Sequence, residues 1–264
     1  MKISIVGCGW LGLPLGKSLV QKGHQVIGTT TSLAKIISLQ QAGIKSLIVR
    51  FNPLPDADIQ SLFAVDVLII ALPPRVGQFG QVHHLQQIDA LVEPLTKLAK
   101  TPQIIYISST SVYPENNQIT TENAEILEDS VLIKAENLLK NSCPNVVILR
   151  CGGLMGYDRI PGKYFIGKTV NTGQVPVNFV HRDDVIAIID QIITEKILAK
   201  TFNVVAPIHP IRQAIYLANA QQFGWEAPQF EVPIVPIPFK IISSDALIQA
   251  LNYEFIYPNP LYFF

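Results

Sequence analysis

The chain reads as an α/β protein built on a doubly wound parallel sheet with a smaller C-terminal substrate lobe. Three observations carry this. Apolar, strand-like runs alternate with helically spaced ones across residues 1–150 of the 264. A glycine-spaced turn, Gly7-Cys8-Gly9-Trp10-Leu11-Gly12, joins the first strand-like run to the first helical one. After Arg150 the alternation gives way to glycine- and turn-rich sequence with shorter elements. The expected division is residues 1–150 as a dinucleotide-binding domain and residues 151–264 as a smaller lobe packed on it, within a single structural unit.

Ile3 to Val6 forms the first buried strand, and Leu13 to Val20 continues with helical apolar spacing. Gln25 to Gly28 is the second strand. Ser32 is placed as an N-cap, Leu33 to Gln41 as the helix behind it, and Gly43 as its stop. Ser46 to Val49 is a third strand. Val65 to Leu72 is a fourth, so continuously apolar that burial on both faces is expected, and Pro73-Pro74 ends it. His84 to Lys100 has helical spacing, with acidic residues early and lysines late as the helix dipole prefers. Gln103 to Ile107 is a fifth strand, Val131 to Leu139 a helix and Val146 to Leu149 a sixth strand. In the second half, Val185 to Ile193 is a helix starting at Asp183 or Asp184, Phe202 to Val205 a strand and Ile211 to Gln222 a helix. From Pro228 the chain is proline-rich with short apolar pieces.

Composition removes several function classes. The chain is 48% apolar and 15% charged, enough for a substantial core. Lysine plus arginine equals aspartate plus glutamate, 20 against 20, with no basic run, so nucleic acid is not expected as a partner. No apolar stretch reaches the ~18 residues of a membrane span. The opening Lys2 and apolar run resemble a signal peptide, but the glycine turn and the missing cleavage pattern argue against one. Cys8, Cys143 and Cys151 have no C-x-x-C spacing and suit a reducing cytoplasm. His83-His84 is adjacent, poor metal geometry, and no metal site is expected.

The glycine turn has a specific physics. Gly7 allows the tight turn, Gly9 has no side chain to hold a pyrophosphate off the backbone, and Gly12 lets helix and strand pack closely. The free N–H groups of the helix start, around Trp10, Leu11 and Gly12, then face phosphates favoured by the helix dipole. A dinucleotide site of Rossmann type is therefore expected. NAD sites place a carboxylate at the end of the second strand. Thr29, Thr30, Thr31 and Ser32 stand there instead, with Lys35 one turn further on. Nothing in that loop repels a 2′-phosphate, and hydroxyls with a lysine suit one, so NADP is preferred over NAD. The threonines equally suit a turn and cap.

The stretch Ile104-Ile-Tyr-Ile-Ser-Ser-Thr-Ser-Val-Tyr-Pro114 runs a strand into a cluster of hydroxyls. Here the sequence resembles the extended short-chain dehydrogenase/reductases, the NAD-dependent epimerase/dehydratase family, which carries S-S-x-x-V-Y after the fifth strand. The resemblance covers most of the chain. Gly7, Gly9 and Gly12 match the phosphate loop. Ile148 to Gly156 looks like the L-R-x-x-x-x-Y-G segment, Phe179-Val-His-Arg-Asp-Asp-Val185 like F-V-H-V-x-D-V, and Phe202-Asn-Val204 like the Y-N-V strand. The resemblance implies that Ser109 hydrogen-bonds the reacting oxygen. It implies that Lys134, the lysine of the family's Tyr-x-x-x-Lys pair, holds the nicotinamide ribose. The tyrosine position holds Ser130, whose hydroxyl is a far poorer proton donor than a phenol and suits a helix N-cap. The family's asparagine-alanine-glycine run after the fourth strand is replaced by Ala71-Leu-Pro-Pro-Arg75, where Leu72 and Pro73 would shape a turn against the cofactor. These departures mark an atypical member.

Tyr157, Tyr164 and His181 are candidate substitutes for the missing phenol, and Tyr113 reads as packing. Arg159, Lys163 and Lys168 give their loop a positive bias that suits an anionic substrate, such as a nucleotide-linked sugar or a carboxylate. The substrate cleft is expected between the sheet and residues 151–180. The function expected is an NAD(P)-binding oxidoreductase or epimerase/dehydratase acting on a hydroxyl or carbonyl of a small substrate. The alternative is a non-catalytic dinucleotide-binding sensor or scaffold that lost the tyrosine. The resemblance further implies a homodimer pairing through the helices at His84–Lys100 and Val131–Leu139.

Overall fold

The computed structural model of the protein describes residues 1–52 and 54–264. Its chain order is β1 (Lys2–Val6), α1 (Gly12–Gln21), β2 (Gln25–Thr30), α2 (Ala34–Gln41), β3 (Lys45–Ile48), β4 (Val67–Ile70), α3 (Val76–Phe79), α4 (Gln81–Thr96) and β5 (Gln103–Ser109). There follow β6 (Ile119–Thr120), α5 (Val131–Ser142), β7 (Val146–Cys151), β8 (Gly153–Met155), β9 (Thr169–Val170), β10 (Phe179–His181) and α6 (Arg182–Thr194). The chain ends with β11 (Lys200–Val204), α7 (Arg212–Phe223), β12 (Gln229–Phe230), β13 (Ile241–Ile242) and α8 (Asp245–Leu251). Seven strands form one sheet in the order β11-β7-β5-β4-β1-β2-β3. The pairs β1–β2, β1–β4, β2–β3 and β4–β5 are parallel. Strand order reverses between β1 and β4, so the carboxyl ends of these two strands flank the topological switch point where such sheets hold ligands.

The chain forms two compact units. The first comprises Met1–Val112, Leu127–Leu149 and Ile189–Thr201; the second comprises Tyr113–Ile126, Arg150–Ile188 and Phe202–Phe264.

In the first unit the core follows from strand and helix period. All four residues of β4 are fully buried, each removed from water at about 2 kcal/mol. Helix α1 buries Gly12, Leu15, Gly16 and Leu19, the i, i+3, i+4, i+7 stripe. Gly23 and Gly43, both at positive φ, end α1 and α2. After α2 the Gly43 amide donates to the Gln40 carbonyl and the Ile44 amide to Leu39, the paired bonds of a Schellman stop. Two expectations shift. Helix α2 starts at Ala34 behind Leu33 with no side-chain cap, so Ser32 lies one residue ahead of the N-cap position, its amide donating to Thr30 Oγ1 at 3.2 Å. Helix α4 runs Gln81–Thr96 and carries no acid in its first turn and no base in its last. The dipole pattern expected over His84–Lys100 is therefore absent, and burial of His84, Ile88, Leu91, Val92 and Leu95 sets the helix instead.

In the second unit, β8 pairs with β10, β9 with β12 and β6 with β13, each in parallel. Val170, Val177, Ile215 and Tyr216 form a core with Phe165, Phe179, Phe230 and Leu261 around it. Asp183 and Asp184 fall in the first turn of α6, as expected. Asp184, fully buried, accepts from Tyr253 Oη at 2.8 Å and from the amides of Ile256 and Tyr257 at 2.7 and 3.1 Å, tying the C-terminal stretch to α6.

His84 gives the first unit a pH-sensitive point. It is fully buried, its Nε2 lies 2.8 Å from Tyr106 Oη, and its Nδ1 has no partner among the described residues. Burial holds its pKa down to about 4 from 6.5, and the neighbouring His83 adds to this. The unfolded chain thus binds a proton between these values that the folded chain refuses. Stability contributed by His84 is complete above pH 6.5 and is lost as pH falls toward 4. Between pH 7 and pH 5 the wild type should lose about 2 kcal/mol more unfolding free energy than His84→Gln, measured by urea denaturation. Equal losses would refute this assignment.

Candidate functional site

The glycine turn lies where β1, β2 and β4 end. The Gly7 amide donates to Thr29 Oγ1 at 2.9 Å, and the Cys8 amide to the Thr29 carbonyl at 2.8 Å. Gly7 has φ +104, and a Cβ there would meet the Ala71 carbonyl oxygen at 2.7 Å and Leu72 at 3.5 Å. A Cβ on Gly12 would strike the Gly7 carbonyl oxygen and press Ile5 at 3.2 Å. Gly9 differs from both: nothing lies within 4 Å of its Cβ position. Two glycines are therefore required by the fold itself, whereas the third keeps open space above the backbone. Helix α1 begins at Gly12 behind Leu11, whose side chain makes no capping hydrogen bond, and the Leu13 amide donates to the Gly9 carbonyl at 3.1 Å. Trp10 is half-buried and Leu11 buried.

At the end of β2, Thr29 and Thr30 are buried, and their hydroxyls already accept from Gly7 and Ser32. Thr31 and Lys35 are exposed. The loop contains no carboxylate. Of the hydroxyls read from sequence, Thr31 is thus the exposed one, and Thr29 and Thr30 hold the turn together. Burial pushes the Cys8 thiol up to about 12 against the opposing pull of the Lys35 ammonium, so this cysteine is a packing group.

After β4, Leu72 packs toward Gly7, Pro73 is exposed, and Arg75 adopts left-handed φ +44 ahead of α3. At the end of β5, Ser109 Oγ accepts from the Ser111 amide at 3.1 Å. Ser108 instead turns inward and donates to Glu136 Oε1 on α5 at 2.6 Å. Sequence reading did not single out Glu136. The signal available was a lone carboxylate on the face of α5 that otherwise buries Val131, Leu132, Ala135 and Leu139.

Lys134 lies in the first turns of α5, about half exposed, with Nζ 3.5 Å from the exposed Asp129. Ser130 occupies the N-cap position of α5, but its side chain makes no capping hydrogen bond. Its carbonyl accepts from the Lys134 amide at 3.0 Å, which places the two residues one turn apart.

In the second unit, Tyr113 is buried. It donates to Asn203 Oδ1 at 2.8 Å and accepts from Arg150 at 2.7 Å, so its phenol is committed to structure. Tyr157 is 54% exposed at φ +59. It donates to Asp183 at 2.8 Å, and the Arg182 guanidinium stacks over its ring at 3.9 Å. The Asp183 carboxylate raises the Tyr157 pKa, which weakens it as an acid. His181 is buried against Tyr257 and Phe263, with burial lowering its pKa. Tyr164 is 55% exposed.

Among the described residues, no cluster of histidine, cysteine, aspartate and glutamate could hold a metal ion, and no helix is long and apolar enough to cross a membrane.

No protein-family model matches the chain. Protein YeeZ of Escherichia coli K12 is 36% identical over 269 aligned positions, covering 98% of this chain and 97% of that protein. Among solved structures, the fold resembles the UDP-glucuronic acid 4-epimerase of Bacillus cereus in complex with NAD (TM-score 0.80, 19% identity, 100% of this chain and 95% of that one). It also resembles the human epimerase family protein SDR39U1 with NADPH (TM-score 0.72, 13% identity, 98% and 96%). The glycine turn, the reversal of strand order beside it and the serine run after β5 recur in one order along this chain. The chain is related to YeeZ over nearly its whole length and is 26% identical to the epimerase family protein SA0724 of Staphylococcus aureus N315, covering 70% of this chain and 71% of that protein; it belongs to the extended short-chain dehydrogenase/reductase, NAD-dependent epimerase/dehydratase family, as an atypical member.

Proposed function

We propose that the protein is an NAD(P)-dependent enzyme of epimerase/dehydratase or reductase type, preferring NADP. Its substrate is a small anionic molecule of nucleotide-sugar character, acted on at a hydroxyl or carbonyl. The observation that carries this reading is the open Cβ position of Gly9 between two glycines that the fold itself requires. A merely packing turn has no use for that space, and a pyrophosphate fits it. The residues present fit the cofactor: the first-turn N–H groups of α1 toward the phosphates, and Leu72 and Pro73 along one side. Thr31 and Lys35 stand where a 2′-phosphate would carry its charge. That relatives of this fold are solved with NAD and with NADPH supports the class. When bound, the cofactor supplies a hydride donor or acceptor.

The chain's own groups do the rest. Ser109, whose oxygen accepts from the Ser111 amide, keeps its hydroxyl hydrogen for the reacting oxygen. Lys134, half exposed and 3.5 Å from the exposed Asp129, would exchange that surface ion pair for the cofactor ribose at little cost. A cytoplasmic location accords with three free, buried cysteines. The second reading, a non-catalytic dinucleotide sensor or scaffold, is favoured by one fact: Ser130 stands one turn before Lys134 where a phenol would be the acid.

Titration calorimetry tests the cofactor site. NADPH should bind at least about tenfold tighter than NADH, and Lys35→Ala should weaken NADPH about tenfold while sparing NADH. Gly9→Ala should leave the melting temperature unchanged yet abolish NADPH binding, whereas Gly12→Ala should cost about 1–3 kcal/mol of stability. If Gly9→Ala binds NADPH like the wild type, the phosphate loop is only a packing device.

A screen of carbonyl substrates by NADPH absorbance separates enzyme from sensor. With a substrate found, Ser109→Ala and Lys134→Ala should each lower turnover by about 10²-fold. Undiminished rates would remove both residues from the mechanism.

A further inference from the structure

Glu136 is 1% exposed on the inward face of α5. Neighbouring positions on that helix are apolar, and helix α4 packs against α5. A buried carboxylate is costly to desolvate, and a leucine would fill the same space at less cost. The charge is therefore retained for what it touches. It accepts from Ser108 Oγ at 2.6 Å, and Lys140 Nζ lies 3.8 Å away toward the surface. On the same face of β5, two residues earlier, Tyr106 Oη meets His84 Nε2 at 2.8 Å. Polar contacts thus hold the strand to both α4 and α5, the contact to Glu136 falling at its carboxyl end.

Resting on the reading of Ser109 given above, we propose that Glu136 is a positioning residue: by accepting the Ser108 hydroxyl it pins the end of β5 and so fixes where the Ser109 hydroxyl points. It does not relay a proton to that site. Consecutive strand residues project to opposite faces, so Ser108 and Ser109 are turned away from each other. The pin acts through the backbone. Its output is the Ser109 oxygen, which meets the Ser111 amide at 3.1 Å, so protection of that amide reports the orientation of Ser109 directly.

Hydrogen exchange of the Ser111 amide, followed by NMR in the full chain, tests this with Glu136→Leu, Glu136→Gln and Ser108→Ala. Glu136→Leu should melt no lower than the wild type, yet Ser111 should exchange about tenfold faster in it and in Ser108→Ala. Glu136→Gln, which keeps an acceptor oxygen, should restore exchange to within about twofold of wild type. NADPH affinity should be unchanged throughout. If Glu136→Leu fails to fold, Ser108→Ala makes the same comparison in an uncharged background. Unaltered Ser111 exchange in Ser108→Ala overturns the pin, whatever happens to turnover. Faster exchange there, together with full NADPH-dependent turnover in Ser109→Ala, keeps the pin and discards the catalytic reading of Ser109.

Discussion

The close approach of the first turn of α1 to the end of β1 is the constraint on which the rest depends. It exists because Gly12 sets a hydrogen, rather than a methyl group, against the Gly7 carbonyl. Gly7 in turn is fixed from two sides: its α-carbon lies against the Ala71 carbonyl from the end of β4, and its amide is held by Thr29 at the end of β2. Three strand ends are thereby gathered on one residue. The N-terminus of α1 is aimed before any ligand arrives, which lowers the ordering cost of binding an anion there.

That gathering also explains why the β2 loop has so few groups to offer. Four consecutive hydroxyl residues look like a generous anion site when read along the chain. In space, Thr29 serves Gly7 and Thr30 serves Ser32, so two of the four sustain the turn. On the proposed reading, selectivity between the dinucleotides would fall to Thr31 and Lys35, together with the missing carboxylate. Fewer groups would then do the recognising than the sequence suggests, one of them a flexible, strongly hydrated ammonium.

Features set by neighbours within one turn or one pleat were legible in the sequence. The glycine spacing and the Gly43 stop rest on local geometry and stand as read, whereas the fourth strand, read over Val65 to Leu72, narrows to Val67–Ile70, with Asp66 exposed and Val65 and Leu72 half-buried. Misplaced were the features that depend on competition. Ser32 does not cap α2, because the helix begins at Ala34 behind Leu33 and Ser32 falls one residue short of the N-cap position. In α4, Asp89 sits mid-helix and Glu93 in the last turn, while Lys97 and Lys100 lie past its end, so the dipole pattern read from the sequence is absent and a buried apolar stripe defines the helix instead. Out of reach altogether were the buried polar pairs. Ser108 and Glu136 are 28 residues apart, and Asp184 meets Tyr253 across 69. Such pairs arise from the register of one element on another, which no single-segment periodicity encodes.

The fate of the phenols bears on what chemistry remains. Tyr113 is committed to Arg150 and Asn203, and Tyr106 to His84. Burial drives the pKa of Tyr106 far above the ordinary phenol range and raises that of Tyr113 as well. The Asp183 carboxylate raises that of Tyr157. Each of these departs in the direction opposite to that of a working acid/base, whose pKa is brought toward neutrality. A serine hydroxyl at position 130 holds its proton at any physiological pH. On the proposed reading, a site built on Ser109 and Lys134 would polarise an oxygen and hold a ribose, while none of Tyr106, Tyr113, Tyr157 and Ser130 is poised to exchange a proton at neutral pH. Such a site would favour substrates whose reacting oxygen is already acidic, or whose proton reaches water directly.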